Sequence, residues 1–406
     1  MALRLIFPST SMASEDSPAR SRNSLTYLMR CIFYIGIRKP PQRFFVIYIL
    51  WSLVLNINST FYQPIGFVIG VIINLKEFSP GEFLTSLQVV FNVWTCVIKV
   101  LILWALLKRL DQAAVLLDKM DKRVTQPSER RMIHRAVAQS NRAFLLFLGV
   151  YISYATTTFL SAARHGRPPY QNYFPFLDWR ASAWKFWLQT FLEYFAMLGA
   201  CFQDACVDCY AISFVLPLRA HVNLLANRLR QLGRTTNDTL NSEQHYQELI
   251  NCILDHKLLL RYADVISPVI SGTIFVQLLV VGVVLGLTLI NLVFFASVSS
   301  GIAAFFFLSS ALIETTPFCI LCTYLTHDCN NLSDALFGSG WMDEEQRYRK
   351  TVLYFLQKLQ QPISFKAMGI FTISVGTSIK VTKFGFSVFA LVKQMNLAEK
   401  MLTNKK

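Results

Sequence analysis

Seven long apolar runs, separated by polar segments, dominate the pattern of this chain. A helix needs about 20 mostly apolar residues to cross a hydrocarbon core. The runs at 44–65, 83–107, 143–163, 187–216, 266–295, 301–323 and 367–392 all reach that length. The pattern predicts an all-α polytopic membrane protein with seven transmembrane helices. The first run turns polar near its far end, and the seventh is the most interrupted. Only a short Ser-containing stretch separates the fifth and sixth, which predicts a tight hairpin. Beyond the second run Leu106, Leu110, Ala114 and Leu117 keep helical spacing, as do Leu224, Leu225, Arg228 and Leu232 beyond the fourth. These spans are expected to continue past the bilayer as amphipathic helices. Residues 343–360 open on acidic side chains and end before Pro362, which predicts another helix. No internal repeat or second domain is evident, so 1–406 reads as a single membrane domain.

Composition supports this class. The chain has 406 residues, 53% hydrophobic and only 16% charged, against about 25% charged in soluble proteins. Disorder is excluded by the same numbers, since it requires low hydrophobicity and high charge. The net charge of +15 becomes informative when sorted by loop. The N-terminal stretch and the second, fourth and sixth loops hold 26 Lys and Arg, whereas the alternating set holds 9. Basic residues stay in the cytoplasm, which predicts a cytoplasmic N-terminus and an extracellular C-terminus. That orientation opposes the one found in G-protein-coupled receptors. The sequons at Asn237 and Asn331 then fall inside the cell, and Asn58 lies close to the bilayer. No sustained apolar stretch precedes Arg43, so a cleavable signal peptide is not expected.

Candidate chemistry is sparse. Cys206/Cys209 and Cys319/Cys322 form CxxC pairs, but both lie in or beside apolar spans, where cysteine acts as a small hydrophobe. The six histidines form no metal-binding pattern, and no nucleophile elbow or Walker loop occurs. No enzyme activity and no cofactor are expected. Ionisable residues inside spans deserve more weight. Asp204 and Asp208 share one helix face, with Lys99 a candidate partner for a structural ion pair; Glu193 and Glu314 have no partner assignable from sequence.

Aromatic residues concentrate in several spans: Phe91 and Trp94; Tyr151, Tyr154 and Phe159; Phe191, Tyr194 and Phe195; and Phe305, Phe306 and Phe307. Most such Phe faces meet lipid or pack, whereas a tyrosine hydroxyl wants a partner or a cavity. A mostly apolar pocket with a few hydroxyls would suit a small volatile or lipid-like ligand. In the last span, Gly376, Thr377, Ser378, Gly385 and Ser387 fit a pore liner and tight helix packing equally well. Lys380 and Lys383 lie too deep for a lipid-facing helix that begins at Ala367.

The C-terminal third resembles the insect odorant receptor family. The resemblance is carried by Cys322, by Asp328 to Phe337 (DCNNLSDALF) with Trp341 four residues on, and by Tyr348-Arg349-Lys350. It continues through Leu359-Gln360-Gln361-Pro362 and Lys383 to Phe389 (KFGFSVF). The first of these elements looks like the family's loop. The related gustatory family ends in Thr-Tyr, five apolar residues and Gln-Phe. Here those positions read Ser387-Val388 and Gln394-Met395, which favours the odorant branch. The long loop of the shared coreceptor has no counterpart in 217–265, so the chain looks like an odour-tuning subunit.

The resemblance implies a ligand-gated, non-selective cation channel that requires no G protein and binds no nucleic acid. It implies assembly with the odorant receptor coreceptor as a heterotetramer, embedded in lipid at the plasma membrane of olfactory sensory neuron dendrites. It also implies a cytoplasmic anchor over 343–366 and a pore lined by the outer half of the seventh helix. Leu391 stands at the family's hydrophobic gate, with Gln394 just outside it and Ser387 on the pore. Lys393 departs from the usually apolar residue beside that gate. The odorant pocket is expected between the second, third, fourth and sixth spans, at Phe91, Trp94, Tyr151, Tyr154, Phe191, Tyr194, Phe195 and Phe306. A gustatory-type receptor and a secondary transporter are the alternatives; the latter would call for an inverted repeat.

Overall fold

The computed structural model describes residues 17–38, 45–170, 172–175, 177–233 and 242–395. The Asn237 sequon and the start of the first run at Phe44 lie outside these residues. Among the described residues, seven helices are long and apolar enough to cross a membrane. In chain order the helices are α1 (Thr26–Tyr34), α2 (Phe45–Asn74), α3 (Pro80–Ala105), α4 (Leu107–Asp121) and α5 (Pro127–His165). They continue as α6 (Ala183–Gln231), α7 (Ser242–Phe294), α8 (Val298–Phe337), α9 (Gln346–Leu359) and α10 (Val375–Gln394).

Helix ends follow local chemistry. Ser79 and Glu82 form a reciprocal capping box with Pro80 in the first turn, so α3 starts there rather than at Phe83. Gly166 closes α5 in the left-handed conformation at φ 66°. At Leu106 (ψ 12°) the helix breaks, and α4 restarts as a separate element. The hairpin between the fifth and sixth spans is as tight as expected, turning over 295–297, with Ser297 capping α8.

Two spans differ from their sequence boundaries. The first was expected to end at Ile65 but runs to Asn74. Its polar stretch is absorbed by a π-helical turn over Asn58–Tyr62, in which Ser59 Oγ donates to the Leu55 carbonyl, and Pro64 opens the apolar continuation. The seventh was expected from Ala367, but 366–372 form a small antiparallel hairpin, Lys366–Ala367 with Phe371–Thr372. Met368 and Gly369 take positive φ at its tip, and the Met368 amide donates to Ser271 Oγ of α7. The helix begins only at Val375, so Lys380 lies within its first two turns. Residues 328–337, expected as a loop, are the last turns of α8.

Helix α6 forms the buried axis of the bundle, with α5, α8 and α7 packed along it. It runs through Pro217, which has no N–H to offer the carbonyl four residues back. That carbonyl, Ser213 O, instead accepts Ser24 Oγ at 3.3 Å, and the neighbouring Phe214 carbonyl accepts Tyr262 Oη at 2.8 Å. The N-terminal segment is thus threaded into the bundle. Ser21 donates through both its amide and its hydroxyl to Asp121, and α1 buries Tyr27, Leu28, Cys31 and Ile32 in the common core. Here the end bearing α1, α4 and α9 is the base, and the end bearing the 166–182 loop is the crown.

Candidate functional site

A polar stripe on α3 starts the site: Thr85, Gln88, Asn92, Thr95 and Lys99 recur at helical spacing and face the bundle interior. Lys99 is buried and forms an ion pair with Asp208 of α6, also buried. Tyr151 of α5 donates to the other Asp208 oxygen at 2.8 Å. Lys99 also approaches Gln277 Oε1 of α7 at 3.5 Å, and Gln277 Nε2 donates to Glu314 of α8 at 3.0 Å. One polar network therefore ties α3, α5, α6, α7 and α8 together. A charge in this interior survives only when paired and hydrogen-bonded. Glu314, without an assignable partner in sequence, finds one in Gln277.

Above this floor sits a small chamber of about 30 Å³, walled by Asn92, Tyr151, Gln203, Asp204, Ser310 and Glu314, among others. Toward the crown lies a larger vestibule of about 500 Å³. Its walls are the start of α3 (Thr85, Ser86, Gln88), the end of α5 (Thr158, Ser161, Ala162), loop residues Arg167 to Tyr170, and Ala303 and Ala304 of α8. Tyr154 and Phe307 border both spaces. Two amide donors in these walls, Gln88 Nε2 and Gln203 Nε2, are buried without a hydrogen-bond partner among the described residues.

The loop that roofs the vestibule is held from beneath. Glu193 of α6 is buried and accepts from the backbone amides of Tyr170 and Asn172 and from Gln189 Nε2, all at 2.9 Å. Glu193 was another carboxylate without an assignable partner; it anchors the roof through backbone amides, which side-chain types alone do not announce. Arg167 adds an ion pair to Glu82 at 2.8 Å.

The expected pocket residues separate into groups. Tyr151 and Tyr154 line the cavities. Tyr194 bonds Thr156 at 3.2 Å and stacks near Phe159 on the flank of α5 and α6. Phe91, Trp94, Phe191 and Phe195 point out of the bundle, from 38% to 65% exposed. On α3 the inward face is instead Val89, Val93 and Cys96; on α8 it is Phe307 rather than Phe306. Aromatic content does not distinguish a lipid face from a cavity face, because lipid is as apolar as the core.

Helix α10 lies along α7, with little of its surface buried. Its contact line is glycine-made. A Cβ at Gly385 would come within 2.9 Å of Leu285 Cβ, and one at Gly286 within 3.0 Å of Val388 Cβ. The opposite side leaves Lys380, Lys383, Ser387, Leu391 and Gln394 exposed; Lys393 is exposed too, but about 160° round the helix from Leu391. Close packing and an open face, equal readings from sequence, therefore occupy different sides of one helix.

At the base, Arg228 joins Glu129 and Asp255 at 2.8 Å each, and Arg123 joins Asp255 at 2.6 Å. His256 of α7 packs against Phe355 of α9 with ring centroids 5.5 Å apart, below the apolar run that begins at Ile266. Burial pushes its imidazole down to about 4. All nine cysteines are buried and unbridged.

Comparison with known proteins agrees with this architecture. The family described as 7tm odorant receptor matches residues 79–386. Odorant receptor 42a of Drosophila melanogaster is 64% identical over 401 residues, covering 99% of this chain and 98% of that protein. Odorant receptor 42b of the same species is 45% identical over the full length of both. Among solved structures, the insect olfactory receptor OR5 from Machilis hrabei superimposes with a TM-score of 0.76 at 14% identity, covering 91% of this chain and 98% of that one. The same receptor in complex with eugenol gives 0.77, also at 14% identity, covering 93% and 100%. This multi-pass membrane protein belongs to the insect odorant receptor family.

Proposed function

We propose that this chain is the odour-tuning subunit of a ligand-gated, non-selective cation channel, assembled with the odorant receptor coreceptor as a heterotetramer. It would sit in the plasma membrane of olfactory sensory neuron dendrites, with the base and its 343–366 anchor in the cytoplasm and the crown outside. The observation that carries the reading is the vestibule. At about 500 Å³ it falls in the usual range for a small-molecule site. Gln88 on its wall carries a buried amide donor that has no hydrogen-bond partner among the described residues. A volatile with one hydrogen-bond acceptor would satisfy that donor and fill the apolar remainder. That a receptor of the same fold takes eugenol supports a small organic ligand here.

The pore reading rests on the uncovered face of α10. Leu391 is 57% exposed in the single chain, so neighbouring subunits would complete a ring of apolar side chains. Such a ring shuts a pore by dewetting and conducts once it widens. A ligand opens it only by binding the open arrangement more tightly.

Co-expression with the coreceptor tests the function directly. Odour-evoked inward current without added nucleotide or G protein is the expected result. Silence across a broad odour panel, with the receptor present at the surface, would overturn it.

A further inference from the structure

The rings of Tyr154 and Phe307 stand 5.1 Å apart, tilted by 45°, where the vestibule and the inner chamber meet. Both side chains are buried, at 9% and 5% exposure. The two spaces differ sharply in what they can hold. The vestibule accommodates a small organic molecule, whereas about 30 Å³ accommodates one or two waters. Phe307 also borders a third gap of about 10 Å³, beside Val281, Val284 and Ala311. A single ring thus borders all three voids.

The side chains that flank the ring on α8 are small. Of its one-turn neighbours along α8, Ala303, Ala304 and Ala311 are alanines and the fourth is Ser310, and a phenyl ring makes no directional bond that would hold it. From Phe307, the third gap leads to Val281 and Ala311, which pack with Val381 of α10.

We propose that the Tyr154–Phe307 pair is a partition that sets how far a ligand penetrates the bundle, and so sets the longest odorant the receptor accepts. Short ligands stay in the vestibule. Longer ones fit only when Phe307 swings out of the partition, which opens the inner chamber and presses the ring toward the contact between α7 and α10. This rests on the vestibule being the odorant site.

The test uses straight-chain alcohols, ketones and acetate esters graded by chain length, applied to cells expressing receptor and coreceptor. Variants Phe307→Ala and Phe307→Leu are compared with Ala162→Leu, which narrows the vestibule, and with Phe306→Ala as a neighbour outside the partition. Surface labelling normalises each variant, and the leucine variant is the readout if the alanine variant fails to reach the surface. The expected result is that both Phe307 variants move the preferred length upward. The response to the longest ligands, relative to the shortest, should rise about tenfold or more for each methylene newly admitted. Ala162→Leu should weaken all responses, and Phe306→Ala should leave the length profile in place. An unchanged length profile in both Phe307 variants, with Ala162→Leu still weakening responses, overturns the partition and leaves the vestibule standing. Unchanged responses in all variants overturn both.

Discussion

Lys99 of α3 and Asp208 of α6 are joined across the bundle as an ion pair from which solvent is almost wholly excluded, at 1% and 0% side-chain exposure. A surface pair would contribute little, but here either partner left alone is a buried, uncompensated charge. Lys99→Met should destabilise the fold by about 3–5 kcal/mol, while replacing both partners with apolar residues should recover much of that. Thermal unfolding of the purified receptor measures both. Equal stability of the single variant and the wild type would refute the argument.

Glu193 holds the vestibule roof through two backbone amides and a glutamine. Glu193→Ala strands those donors, each costing about 1–3 kcal/mol when left buried. The 166–182 loop should then become more sensitive to protease added on the crown side. Glu193→Gln, which keeps one acceptor oxygen, should be intermediate.

Leu391 is exposed on the face of α10 that turns away from α7. Leu391→Ala should raise the unstimulated current in cells carrying the coreceptor, because a ring of smaller side chains is wider and dewets less readily. Lys393→Leu should shift that current far less, because Lys393 lies on nearly the opposite side of α10 from Leu391.

His256 couples the base to pH. Its folded-state value of about 4 lies below the roughly 6.5 of a free imidazole. The unfolded chain therefore binds a proton in this window and the folded one does not. Stability should be full above about pH 6.5, fall as pH drops toward 4, and level off below, a loss of about 3 kcal/mol from this group. His256→Leu should flatten that part of the profile. Thermal melts across pH 4–8 on both proteins distinguish the two slopes.

The spans were legible because bilayer thickness imposes length and apolarity together, and both are written in the linear order of residues. The Lys99–Asp208 pair was legible for a related reason: charges inside spans are few, so candidate partners are few. Which side of a span faces the interior was harder to see. Phe91 and Trp94 look outward while Val89 and Val93 look inward, and hydropathy ranks both pairs as apolar. The steadier signal on α3 was its polar stripe from Thr85 to Lys99, because a polar residue has a reason to avoid lipid. The hairpin at 366–372 escaped because Met368 at its tip adopts a positive φ that its residue type does not favour. The first span's continuation escaped because a π-helical turn lets Asn58 to Tyr62 pass through an otherwise apolar helix.

The glycine seam gives α7 a mechanical meaning. Gly282 and Gly286 meet α10, while Asn291 on the same helix reaches across to Thr85 at the vestibule wall. Those positions lie about 8–14 Å apart along the axis. The vestibule wall and α10 are therefore mounted close together on one short stretch of α7. Toward the base α7 passes through Pro268, which has no N–H for the carbonyl four residues back, so the continuous stretch that carries both contacts lies on the crown side of that proline. Any tilt of that stretch at the vestibule would carry the seam with it, alongside the side-chain route through Phe307.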